Sequence, residues 1–331
     1  MNPFLQSQIS TLIESLRLIE ASITAPLGLH SDIKMLRQAL PFDDAGDLDR
    51  TDLGARRSAY QSISEKPGEV VLQVIAQVMN TLDVLDSVKD SPTKPEWVAQ
   101  ARRVLARAEQ KVAGDERADT AAKIQGLYVI VGPDATNGRP VVEVAEAALR
   151  GGASVLQLRD KTGDRGDVLP IATRLQKLCS DHDALFFMND DAAIGLTSGA
   201  DGVHLGQSDL PVSDARRILR SNQLIGRSNN SMDEIAQSAS LGVDYIAVGA
   251  VFPTTTVGKG TRATIGIDSI RPAKDLAPQP LVAIGGINEV NVREVVKAGA
   301  DCVAAISAVT MADDPEAAAR RMVDAIESAR S

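Results

Sequence analysis

The chain has 331 residues, 44% of them hydrophobic, which is enough for two domains or for one large domain with an extension. Its net charge of −9 argues against a nucleic-acid partner, which requires a basic face. Cys179 and Cys302 stand far apart without metal-type spacing, so they read as buried free thiols in a reducing cytoplasm.

Met1-Asn2-Pro3-Phe4 carries no basic segment ahead of an apolar core, and no run is read as approaching a membrane span. Residues 1–113 read as an all-α domain. Leu5, Ile9, Leu12, Ile13, Leu16 and Ile19 recur at helical spacing, as do Val71, Val74, Ile75, Val78, Leu82 and Leu85. Trp97, Val98, Val104, Leu105 and Ala108 form a third such run. No catalytic constellation lies in this half, and His30 reads as a surface or capping residue. Residues 114–123 are charged and poor in apolar side chains, and read as a linker.

From residue 124 to 331, short β-branched runs alternate with helical stretches, the pattern of βα units in a parallel sheet. Strands are expected at 127–131, 154–159, 185–189, 202–205, 224–228, 245–249, 281–284 and 302–306. Helices are expected at 141–150, 168–180, 211–220, 232–241, 290–298 and 315–329. Eight strands with intervening helices predict a (β/α)8 TIM barrel, whose active site lies at the C-terminal strand ends.

The polar residues collect at those ends. Strand alternation turns Gln157 and Arg159 to one face with Lys161 just beyond, so an amide, a guanidinium and an ammonium frame an anion pocket. Asn189-Asp190-Asp191 closes the third strand, His204, Gln207 and Asp209 lie on or past the fourth, and Ser228 closes the fifth. Asp190 and Asp209 are hard carboxylates suited to Mg²⁺. Each taken singly also reads as a helix N-cap, a role that fits Asp191 better. His204 reads equally as a satisfied core histidine and as a catalytic one. Gly249 opens a long loop through Gly260. Gly285-Gly286 after the seventh strand and Ser307 after the eighth make a second anion site. No Ser–His–Asp order or Cys–His pair is assembled. Two anion sites, one with Mg²⁺, and no evident general base point to displacement of pyrophosphate by a nucleophile that has no proton to lose.

The segment QLRDK at 157–161, MNDD at 188–191, DGVHLGQSD at 201–209, IGRS at 225–228, DYIAVGAVFPTTT at 244–256, VAIGGI at 282–287 and AAISA at 304–308 together resemble the thiamine-phosphate synthase family. That family condenses hydroxymethylpyrimidine pyrophosphate with hydroxyethylthiazole phosphate, giving thiamine phosphate and pyrophosphate. The resemblance implies that Gln157, Leu158, Arg159, Asp160, Lys161, Asn189, Ser228 and Lys259 hold the pyrimidine pyrophosphate, with Arg159, Lys161 and Ser228 acting catalytically. It implies Mg²⁺ on Asp190 and Asp209, and the thiazole phosphate on Thr254, Thr255, Thr256, Gly286, Ile306 and Ser307. The expected partners are therefore two small molecules and neither nucleic acid nor membrane, with a homo-oligomer as a possible assembly.

Two positions depart from the pattern. Asn230 stands where family members commonly carry His, and Val257 where they commonly carry Lys, with Lys259 a shifted source of the cation. Residues 1–113 look like a worn version of the helical extension on some of these synthases. The alternatives are the paralogous thiazole tautomerase, which relies on the His that is Asn230 here, and a non-catalytic phosphate-ligand sensor.

Overall fold

The computed structural model describes residues 3–23, 26–41, 67–88, 91–254 and 264–331. The chain divides into two units, Met1–Glu116 and Arg117–Ser331. The first holds α1 (Pro3–Ser22), α2 (Leu27–Gln38), α3 (Pro67–Ser87) and most of α4 (Pro95–Ala121). The apolar stripes read from the sequence merge into one core, with Ile9, Leu16 and Ile19 of α1 against Ile75, Val78 and Leu82 of α3 and Leu105 of α4.

Two sequence readings of this unit change. His30 is not a cap but a partly exposed residue: its Nε2 lies 4.0 Å from Glu20 Oε1, beside an ion pair in which Arg37 Nε meets Glu20 Oε2 at 2.9 Å. Glu20 and Arg37 are 1% and 0% exposed, and losing either partner would strand a buried charge at a cost of about 3–5 kcal/mol. Pro67–Ser87 is, by length and composition, apolar enough to cross a membrane, contrary to the expectation that no run approaches that limit. Length and composition alone do not separate such a span from a core helix, and here Val71, Ile75, Val78, Leu82 and Leu85 are buried in the helical core.

The charged stretch 114–119 is helical, and the boundary between units falls inside α4. Glu116, Arg117 and Ala118 are good helix formers, so a charged run can continue a helix as readily as it resembles a linker. Past the boundary, Arg117 Nε meets Asp244 Oδ1 at 3.0 Å, while Ala121 and Ile124 join the core inside the barrel.

Eight parallel strands close into a barrel in sequential order: β1 (Gly126–Val131), β2 (Val155–Leu158), β3 (Leu185–Asn189), β4 (Gly202–Leu205), β5 (Leu224–Asn229), β6 (Tyr245–Val248), β7 (Leu281–Ile284) and β8 (Cys302–Ala305). The shell helices are α5 (Val141–Arg150), α6 (Arg165–Asp181), α7 (Ala192–Thr197), α8 (Val212–Ile218), α9 (Met232–Ser240), α10 (Ile270–Leu276), α11 (Val292–Lys297), α12 (Ser307–Thr310) and α13 (Pro315–Arg330). Strand alternation separates two cores. Outward residues such as Val129, Leu156, Phe186, Val203, Ile246 and Val303 pack under the helices with buried Cys179. Inward residues, among them Tyr128, Phe187, Tyr245 and Cys302, fill the barrel. Large and small residues match across it: a Cβ on Gly226 would lie 1.9 Å from Tyr245 Cζ.

A short repeat fixes the lower rim. Gly152-Ala153-Ser154, Gly199-Ala200-Asp201, Gly242-Val243-Asp244 and Gly299-Ala300-Asp301 precede β2, β4, β6 and β8, each with its glycine at positive φ. Asp201, Asp244 and Asp301 each accept from a backbone N–H of the preceding strand, Phe186, Ile225 and Leu281, at 2.7–2.8 Å. β4, β6 and β8 are thereby each fastened to the strand before, and the opposite rim is left free for function.

Candidate functional site

On the β2–β4 arc, the residues singled out by sequence converge. Gln157 is 2% exposed and donates from Nε2 to Asn189 Oδ1 at 2.8 Å. Arg159 lies one residue past β2, and its Nη1 meets Asp134 Oδ2 at 3.2 Å. Lys161 Nζ stands 2.5 Å from Asp190 Oδ2. Asp160 serves the turn itself, its Oδ1 accepting from the N–H groups of Thr162 and Gly163. Leu158 faces outward into the shell core.

Asp190 is not a helix cap. Asp191 caps α7, accepting from Ala193 and Ile194 N–H, while Asp190 takes φ +61, a left-handed conformation rare outside glycine. Its N–H donates to His204 O at 2.9 Å, which holds the turn and aims the carboxyl across the rim. Asp209 is no cap either: Pro211 holds the position before α8, and Asp209 Oδ2 accepts from Gly206 N–H at 2.6 Å. The Asp190 and Asp209 carboxyls lie near enough for each to act on the other's proton affinity. Burial and the neighbouring Asp209 lift Asp190 above the usual carboxylate range, against the pull of Lys161. Burial also pushes Asp209 upward, but the hydrogen bonds from Asp190 and Gly206, with Lys161 nearby, outweigh it and hold this carboxyl low. Two neighbouring carboxyls on adjacent strand ends form a hard-oxygen donor pair. Mg²⁺ is commonly held by one or two carboxylates with waters and phosphate oxygens, so the residues present fit that ion.

His204 joins this arc to the next. Its Nδ1 lies 2.8 Å from Tyr245 Oη and its Nε2 2.8 Å from Ser228 Oγ, and its ring stacks on Tyr245. Burial pulls its pKa down to about 4, so the imidazole is neutral near pH 7. Of the two sequence readings, the satisfied core histidine describes its bonding, with one of its partners on the site's rim.

The β6–β8 arc, with the end of β5, bounds a cavity of ≈880 Å³, in the range of small-molecule sites. Five expected residues line it: Ser228, Thr254, Gly286, Ile306 and Ser307. Gly285 and Gly286 have φ +104 and +66, and a Cβ on Gly286 would sit 2.7 Å from Pro253 O. Only glycine allows the chain to turn this tightly against the loop. Ser307 opens α12 directly after β8. Asn230, in place of the family's usual His, also lines the cavity; its Nδ2 donates to Gln207 Oε1 at 3.2 Å and its N–H to Glu234 Oε2 at 2.6 Å.

Thr255, Thr256, Val257 and Lys259 lie outside the described residues. The sequence reading missed Asp134, which holds Arg159, and Thr264 and Asn288, which line the cavity. Asp134 follows β1 at the functional rim, and that placement was its available signal.

The family model described as thiamine monophosphate synthase matches residues 127–309. A thiamine-phosphate synthase of Natronomonas pharaonis is 42% identical over 203 residues, spanning 61% of this chain and 95% of that protein. One from Gloeobacter violaceus is 34% identical over 290 residues, 86% of this chain and 80% of that protein, a match longer than the barrel unit itself. The solved thiamine phosphate pyrophosphorylase from Pyrococcus furiosus superposes with a TM-score of 0.59 at 36% identity, covering 64% of this chain and all of that one. With a family match over more than half its length and the motif-bearing rim on a closed eight-stranded barrel, the chain belongs to the thiamine monophosphate synthase family.

Proposed function

We propose that the chain joins hydroxymethylpyrimidine pyrophosphate to hydroxyethylthiazole phosphate, releasing pyrophosphate and forming thiamine phosphate in the cytoplasm. The observation that carries this reading is two unlike sets of polar groups on one barrel rim: cationic side chains with a carboxylate pair on β2–β4, and glycine backbone with hydroxyls on β6–β8. The pyrimidine pyrophosphate belongs to the first. Gln157, already bonded to Asn189, leaves its own carbonyl and the Asn189 amide for the pyrimidine edge. Arg159 and Lys161 donate to the pyrophosphate. Mg²⁺ on Asp190 and Asp209, when bound, supplies positive charge that neutralises the departing group. The thiazole phosphate belongs to the second arc, on the N–H groups around Gly286 and the hydroxyls of Thr254 and Ser307.

Bond breaking ahead of attack suits this rim, because charge on the leaving group is what its donors stabilise. The attacking thiazole nitrogen carries no proton, so the reaction needs no general base. Every described residue in this scheme lies in the barrel, so we assign catalysis to 124–331, with 1–113 as a separate helical domain. Lys259 serves the first arc as the loop's cation.

Incubation with both substrates, with and without a chelator, tests the reading. Thiamine phosphate and pyrophosphate are expected together, and only with both substrates and a divalent metal. Turnover indifferent to chelator, or thiazole tautomerisation without condensation, would overturn it.

A further inference from the structure

Four side chains form an unbroken hydrogen-bonded line from the barrel interior to the cavity wall. Tyr128 Oη lies 3.0 Å from Tyr245 Oη, which lies 2.8 Å from His204 Nδ1, and His204 Nε2 lies 2.8 Å from Ser228 Oγ. Tyr128 and Tyr245 are 2% and 0% exposed, and Ser228 lines the cavity. The three strands that supply the line's inner members are β1, β4 and β6, so it is built by tertiary structure alone.

A line of this kind has two self-consistent directions. In the inward one, Ser228 donates to Nε2, Nδ1–H donates to Tyr245, and Tyr245 donates to Tyr128. The Tyr128 proton then has no acceptor among the described residues, since its one hydrogen-bond partner is Tyr245. An unsatisfied buried donor is expensive. In the outward direction Tyr128 donates to Tyr245, Tyr245 donates to the bare Nδ1, and Nε2–H donates to Ser228 Oγ. Each buried donor is then matched, and the Ser228 proton is the one left over, at the cavity wall.

We propose that Tyr245 sets the Nε2–H tautomer of His204, and that His204 in turn commits the Ser228 hydroxyl to donating its proton toward the bound substrate. His204 and Tyr245 are positioning residues, acting through Ser228. A free serine hydroxyl turns either a proton or a lone pair toward its surroundings. Next to a phosphate oxygen the lone pair repels and the proton attracts, so a polarised line removes the unproductive rotamer before substrate arrives. Two packing features serve the same end. Gly226 leaves the space into which the Tyr245 ring projects, and the ring meets Phe187 edge-on at 5.1 Å, so its hydroxyl has little freedom to leave His204. The functional half of this proposal rests on the proposed condensation and on Ser228 binding substrate there, the role that the family resemblance implies for it.

The test combines a spectroscopic and a kinetic measurement. The chain has three histidines, His30, His182 and His204, so ¹⁵N-histidine spectra of the full-length protein can be assigned with a His204→Gln variant. The expected wild-type signature is a bare Nδ1 and a protonated Nε2. Tyr245→Phe keeps the ring packing but removes the donor to Nδ1. It is expected to show mixed tautomers, with kcat down about 10–100-fold, the scale of one hydrogen bond to a charged group, and KM changed less. Tyr128→Phe is expected to keep the wild-type tautomer, because Nδ1 remains the acceptor for the Tyr245 hydroxyl. A wild-type His204 protonated on Nδ1 overturns the proposal. A folded Tyr245→Phe protein with unchanged kcat also overturns it. The spectra need no substrate, so the tautomer stands or falls separately from the condensation activity.

Discussion

The two arcs of the barrel rim present two different chemistries. On β2–β4, charge comes from long side chains that already hold partners: Arg159 on Asp134 and Lys161 on Asp190. On β6–β8 the offer is backbone, glycine and hydroxyl, around a cavity whose shape depends on a close turn at Gly286. A side-chain site can exchange partners when a ligand or ion arrives, which suits a group that must gain stabilisation as it departs. A backbone site is fixed in advance and suits a phosphate that stays attached throughout. This contrast predicts that damage to the first arc slows the reaction and damage to the second weakens binding.

The largest effect is expected at the carboxylate pair. Asp190→Ala or Asp209→Ala should lower turnover by about 10²–10³, the scale of one strong electrostatic contact in a transition state. Steady-state rates at saturating substrate measure it, and near-normal turnover in Asp209→Ala at modest Mg²⁺ would contradict the assignment. Next is Gly286→Val, which forces a branched side chain onto φ +66 against Pro253 and Phe252. We expect KM for the thiazole phosphate to rise by about tenfold or more, corresponding to the loss of about 1.4 kcal/mol of binding, while kcat at saturation changes less.

His204 links the arcs and gives a stability prediction. Its folded pKa of about 4 lies below the ordinary 6.5, so between those values the unfolded chain binds more protons. Stability is therefore fully present above pH 6.5 and falls as pH drops toward 4, by roughly 3 kcal/mol for this group. Denaturant melts at several pH values measure it, and the acid-sensitive part should be absent in His204→Gln. The smallest effects concern the loop and the helical unit. Lys259→Ala should weaken use of the pyrimidine pyrophosphate, with Val257→Ala mild; equal small effects would make the loop cation dispensable. A chain beginning at Gly114, which keeps Arg117, Ala121 and Ile124, is expected to melt cooperatively and retain activity.

Much of this was legible in the residues. Strand alternation placed Gln157 inside the barrel, and strand ends placed Asp190, Ser228 and Gly286 on the rim, because local spacing encodes which face a side chain takes. What stayed hidden was non-local. His204 was ambiguous because its partner Tyr245 lies 41 residues away, and the second tyrosine lies 117 residues from the first. The left-handed turn at Asp190 leaves no trace in composition, since Asp is common in ordinary caps as well. The Gly-x-Asp repeat beneath β4, β6 and β8 was present in the letters, but unequal spacing masked it. The buried Glu20–Arg37 pair was missed because helical periodicity describes the face of a helix and not which charges that face will bury.

The central claim is that the two arcs hold different substrates, and calorimetric binding of each substrate alone tests it most directly. Arg159→Ala should weaken the pyrimidine pyrophosphate and leave thiazole phosphate binding unchanged, while Gly286→Val should do the reverse. If either variant weakens both substrates equally, or the dependence is crossed, the assignment of one arc to each substrate is wrong.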